Sequence, residues 1–153
     1  MVKVSKEVLT LFDIIITDEA PDFEALALCH ALSDGDLPRV HTTLSLTDLT
    51  GRTTTDVYAI CGEPDEPVSA AFHRLVKLNF YRLLRRRLGM PATPWGILHG
   101  IRPVKIVHRW LDQGMPIDVI AERLHRRYDV SSKKAELLIA VALHQRQIGR
   151  AHV

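Results

Sequence analysis

The chain has 153 residues, enough for one domain or for one small domain with an appended helical unit. Its apolar fraction of 46% supplies a core, no apolar run approaches a membrane span, and the N-terminus carries no secretory pattern, so a cytoplasmic protein is expected. A net charge of +2 conceals two opposed halves: residues 1–66 hold 4 Lys/Arg against 13 Asp/Glu, a balance of −9, and residues 67–153 hold 16 against 5, a balance of +11. Such halves attract each other, another protein domain or an anionic ligand.

The first third reads as β-rich. Residues 11–17 are short and β-branched and predict a strand. Residues 18–22, with Pro21 inside, predict a turn. Residues 23–32 suit a helix by their alanines and leucines, but their length and the turn at 33–36 favour a strand. Residues 40–48 alternate, with Val40, Thr42, Leu44 and Leu46 on one face. Gly51 marks a turn, and residues 53–61 predict a further strand. Adjacent short strands of this kind make an antiparallel meander with one face covered by a helix. Cys29 and Cys61 lie outside any CxxC pairing and are expected as buried, reduced thiols.

Residues 62–67 break the pattern, and a long helix follows over 68–88. Phe72, Val76, Phe80 and Leu83 form its stripe, beside Leu75 and Leu84. Six cations, Arg74, Lys77, Arg82, Arg85, Arg86 and Arg87, supply its polar remainder, and Gly89 ends it. Residues 94–105, Pro-Trp-Gly-Ile-Leu-His-Gly-Ile-Arg-Pro-Val-Lys, are too rich in Gly and Pro for a helix interior and predict an ordered connector. Trp95 is large enough to anchor it, and Pro103 suits the first turn of the next helix. Three short helices are expected after it. The first covers 103–113, with Val104, Val107 and Leu111 beside Ile106 and Trp110. The second covers 116–127 and buries Ile117, Ile120 and Leu124. The third starts at a Ser131 or Ser132 cap and carries Leu137, Leu138, Val141 and Ala142. Residues 148–153 read as foreign: Gly149 interrupts the helix, and the segment matches the translation of a common sequencing-adapter read. The chain thus divides into 1–90, a β-meander plus helix, 91–147, connector and helical cluster, and 148–153, a non-native tail; the fold class is α+β.

Trp95-Gly96-Ile97-Leu98-His99-Gly100-Ile101-Arg102-Pro103-Val104-Lys105 resembles the WGxLTGIRPTK signature of coproporphyrinogen dehydrogenases of the HemZ type, which are radical S-adenosylmethionine (radical SAM) enzymes. The similarity continues through Ile106-Val107-His108, Leu111-Asp112-Gln113-Gly114-Met115 and Tyr128-Asp129-Val130 to Lys134-Ala135-Glu136-Leu137-Leu138. It is specific over residues 65–147 and loose over the first 60. His99 and Val104 stand where the family has threonine, so no role for those hydroxyls carries over. The resemblance implies an N-terminal accessory portion that precedes the catalytic barrel. The parent oxidatively decarboxylates two propionates of coproporphyrinogen III, giving protoporphyrinogen IX in haem biosynthesis with a [4Fe–4S] cluster and S-adenosylmethionine. It implies a C-terminal radical SAM domain in cis, through which alone the porphyrinogen is reached. The junction residues it points to are Trp95, Gly96, Gly100, Arg102, Pro103 and Lys105.

That chemistry needs three cysteine thiolates, usually CxxxCxxC, to hold a cluster with one open iron. This chain has two cysteines, so as it stands it cannot build the site and is expected to be inert. None of its eight histidines falls in an HExxH or paired metal spacing. No GxSxG or phosphate-loop motif is present, and His99 is a loop histidine within the signature. Arg102 and Lys105 stand around a helix start, where positive charge opposes the helix dipole. They serve the missing domain, an anionic substrate, or a carboxylate within the chain. A different class of reading is a helix-turn-helix-like nucleic-acid module using Arg123, Arg126, Arg127, Lys133 and Lys134. Against it, residues 137–143 are too apolar to read bases. A free-standing adaptor is the third.

Overall fold

A computed structural model of the chain describes residues 25–33, 37, 39–47, 50–98 and 102–151. The strand expected over 11–17 and the turn expected over 18–22 lie outside these residues. Two compact units divide the chain, Met1–Met90 and Pro91–Val153.

In the first unit, β1 (Ala25–Ser33), β2 (Arg39–Thr47) and β3 (Thr53–Cys61) form an antiparallel sheet in the order β1-β2-β3. Leu32 stands opposite Val40, and Thr43 opposite Val57. The alternation of β2 is realised: Val40, Thr42 and Leu44 are buried, and the residues between them are half-exposed. The hydroxyls of Ser45 and Thr55 meet across the strands at 3.1 Å, as do those of Thr47 and Thr53 at 2.9 Å. Gly51, at φ 78°, turns the chain between β2 and β3.

Helix α1 (Val68–Leu88) lies against β2 and β3. Ala71, Leu75 and Val76 join Val40 in a cluster bordered by Ile60 and Phe72. Burial extends to Leu78, Asn79, Tyr81, Leu83 and Leu84, round more of the helix than the single stripe expected. Asn79 belongs there because its amide is used: Nδ2 donates to the Val40 carbonyl at 2.9 Å and to Thr42 Oγ1 at 3.1 Å. The entry to the helix is held by a two-pronged ion pair. Arg74 Nε and Nη2 donate to the two oxygens of Glu66 at 2.7 Å each, both side chains being 8% exposed. Gly89, at φ 62°, closes the helix, and the Met90 amide returns to the Arg85 carbonyl at 3.1 Å.

Cys61 corrects the expectation of a buried thiol. It ends β3 opposite Arg39, is exposed, and accepts from Arg39 Nε at 3.1 Å. The side chain of Cys29 lies outside the described part.

The second unit contains α2 (Pro103–Asp112), α3 (Ile117–Tyr128) and α4 (Ser132–Ala151). Leu98, Val107, Trp110, Ile120, Leu124, Val130, Ala135, Leu138, Ile139 and Ala142 form its core. Gly114, at φ 74°, stops α2, with the Met115 amide bonded to the Trp110 carbonyl. Three expectations are corrected. Ile117 is 49% exposed, as are Asp118 and Val119 after it, because α3 first meets the core at Ile120. Leu137 is 47% exposed, because α4 buries the face Ala135–Leu138–Ile139–Ala142, spaced at i, i+3, i+4 and i+7. Gly149 does not interrupt α4, which continues to Ala151.

Among the described residues, no helix is long and apolar enough to cross a membrane. The fold is α+β: a three-stranded antiparallel sheet, a long helix after it, and a smaller helical cluster.

Candidate junction site

Residues 93–98 close a tight turn. The Gly96 amide donates to the Thr93 carbonyl at 3.0 Å, Thr93 Oγ1 donates to the Gly96 carbonyl at 3.0 Å, and the Leu98 amide donates to the Trp95 carbonyl at 3.1 Å. This turn is stitched to the loop between α3 and α4. The Ile97 amide donates to the Tyr128 carbonyl at 2.9 Å, and the Ser131 amide donates to the Pro94 carbonyl at 3.0 Å.

Glycine is required at 96 for two independent reasons. Its φ is +54°, and a Cβ there would stand 1.9 Å from the Tyr128 carbonyl oxygen. The facing residue, Asp129, also has a positive φ, 60°, as the left-handed cap of α3. Two left-handed residues from distant stretches therefore meet backbone to backbone.

Side chains reinforce the clamp. Ser131 Oγ accepts the Lys134 amide at 3.4 Å as the cap of α4. Lys134 Nζ stands 4.9 Å from the Trp95 ring centre, so Trp95 anchors the turn by ring–cation contact and by packing on the core. Behind it, buried Trp110 stacks on Tyr128 with ring centres 6.5 Å apart. The guanidinium carbons of Arg123 and Arg127 lie 5.4 and 5.9 Å from the Trp110 ring centre.

The expected junction residues thus separate into two groups. Trp95 and Gly96 are brought together with the 128–131 loop and Lys134. Pro103 is the first residue of α2, with Arg102 before it and Lys105 in its first turn. Gly100 and His99 lie outside the described residues. Arg102 and Lys105 are exposed, and neither has an ion-pair partner among the described residues. The carboxylate within the chain that could have answered them is not there among those residues.

In the other half of the clamp, the sequence marked Ser131 only as a cap of α4, a role it has, and did not single out Asp129. An Asp immediately after the basic end of a helix was the available signal, since Asp tolerates the left-handed cap.

The cations of the nucleic-acid reading are mostly engaged within the unit. Arg123 and Arg127 lie over Trp110, Arg126 Nη1 stands 3.6 Å from Glu122 Oε1, and Lys134 covers Trp95. Between α4 and α2, Arg146 bonds Asp112 and the His108 carbonyl, and its Nε donates to His108 Nδ1 at 3.4 Å. That leaves His108 Nε2 to donate to Gln145 Oε1 at 3.0 Å. In the first unit, Arg87 reaches Asp56 and Thr54 of β3, while Arg82, Arg85 and Arg86 line a surface cavity of about 380 Å³ with Gly89 and Met90. No group of three or more His, Cys, Asp or Glu gathers for a metal among the described residues.

Comparison with family models, curated proteins and solved structures finds no match to this chain.

Proposed function

We propose that the chain is the N-terminal accessory region of a cytoplasmic, oxygen-independent coproporphyrinogen III dehydrogenase of the radical SAM class. In this reading the cluster and S-adenosylmethionine belong to a domain that follows in cis. The two cysteines here leave the fragment inert. One observation carries the reading: the signature Trp95–Lys105 is used in two distinct ways. Its first half, Trp95 and Gly96, is consumed by the clamp on the 128–131 loop. Its second half, Arg102 and Lys105, projects into solvent with no partner among the described residues. A motif that locks itself at one end and offers fixed cations at the other suits a junction to a further domain.

The experiment is to sequence the source DNA beyond the codon for Gln147. A reading frame that runs on into CxxxCxxC supports the assignment. A stop codon directly after Val153 overturns it.

A further inference from the structure

We propose that the face of α2 bearing Arg102, Lys105 and Arg109 is a docking surface for an acidic helix of a protein partner. The inference uses the junction reading only for the identity of the protein that carries that helix; its chemistry rests on the charges alone.

Lys105 and Arg109 stand four apart on one side of α2, and Arg102 is its N-cap residue, three positions before Lys105. All three are exposed. Among the described residues they make no side-chain hydrogen bond, ion pair or ring contact, and Lys133 on α4 is the other Lys or Arg of which this holds. The rest of the described Lys and Arg side chains have been given partners by the fold. Three cations on one stripe without partners contrast with that pattern. Two of them also lie at the helix start, where no acidic residue occupies the first turn and no side chain caps the backbone. Their charge opposes the helix dipole there, so the placement costs stability with no return inside the unit.

The charge selects an acidic occupant, and the pitch suits a helical one. The stripe extends about 10 Å, seven residues at the helical rise. Carboxylates at i, i+4 and i+7 of a partner helix repeat at the same pitch and can face all three cations in register. Duplex DNA would instead draw on a broad positive surface, and Arg123, Arg126, Arg127 and Lys134 are engaged elsewhere.

The test titrates the full 153-residue chain with a helical peptide of about 20 residues carrying Glu at i, i+4 and i+7. Its Gln counterpart and a short duplex DNA serve as comparison probes. Binding to the Glu peptide is expected, and it should weaken as salt rises. Arg102→Glu, Lys105→Glu and Arg109→Glu should each weaken it about threefold or more, and the triple change should abolish it. Lys133→Glu should leave it unchanged. Should the triple reversal disturb the fold by circular dichroism, Arg102→Gln, Lys105→Gln and Arg109→Gln together give the same expectation without like-charge crowding. Equal binding of the Gln peptide or of DNA, equal damage from Lys133→Glu, or no binding of the Glu peptide would each overturn the proposal. None of these outcomes bears on where the reading frame leads, so the two conclusions fail separately.

Discussion

A methyl group on residue 96 would stand 1.9 Å from one carbonyl oxygen and 2.6 Å from the Asp129 carbonyl carbon, and neither atom belongs to a side chain that could swing aside. Gly96→Ala must therefore move backbone as well as hold a left-handed angle. The angle alone costs about 1–3 kcal/mol, and the displaced loop adds to it. Denaturant unfolding of the second unit should show a loss of about 3 kcal/mol or more. Gly89→Ala, where nothing stands within 4 Å, should cost only the angle. Half of this site was legible in the sequence. Trp95 and Gly96 stood out as a large anchor beside a permissive residue. Their counterpart did not, because contact between two loops distant in sequence leaves no periodic trace in either.

Helix-scale reading succeeded on α2, where one stripe meets the core. The apolar positions of α2 repeat at helical spacing, and Val107 and Trp110 are buried as that spacing predicts. It erred on α4, where Leu137, Leu138 and Ile139 are consecutive and hydrophobicity cannot choose among them. Only the small residues Ala135 and Ala142, on the same face as Leu138, mark the buried side. On α1 the buried Asn79 was invisible, since its partners are a carbonyl and a hydroxyl on β2. At the start of α1, removing one partner of the Glu66–Arg74 pair leaves a nearly buried charge. Glu66→Gln should lower stability of the first unit by about 3 kcal/mol, read as a fall in Tm. At the far end of α4, Gly149 is helical with open space around it. Gly149→Ala should raise far-ultraviolet helicity and stabilise that end by up to about 1 kcal/mol. No change would mean that the helix stops earlier, as the sequence alone predicts.

At the scale of the molecule, the opposed charge halves resolve in part within the first unit. Basic α1 meets acidic partners at Glu66 and Asp56, which belong to the sheet side of the chain. That division of charge was readable by counting; its internal settlement was not. Each unit has a core cluster of its own, so calorimetry should resolve two unfolding transitions, with Glu66→Gln moving one and Gly96→Ala the other. A single shared transition shifted equally by both changes would contradict this. The clamp also has a consequence in time. The Ile97 and Ser131 amides lie in irregular backbone, yet each is closed by a carbonyl from the other stretch. Neither can reach solvent unless the two stretches part. Their hydrogens should exchange at one common rate, far slower than those of exposed Ile117, Asp118 and Val119 at the start of α3, so that two loop amides keep the clock for the opening of the whole helical unit.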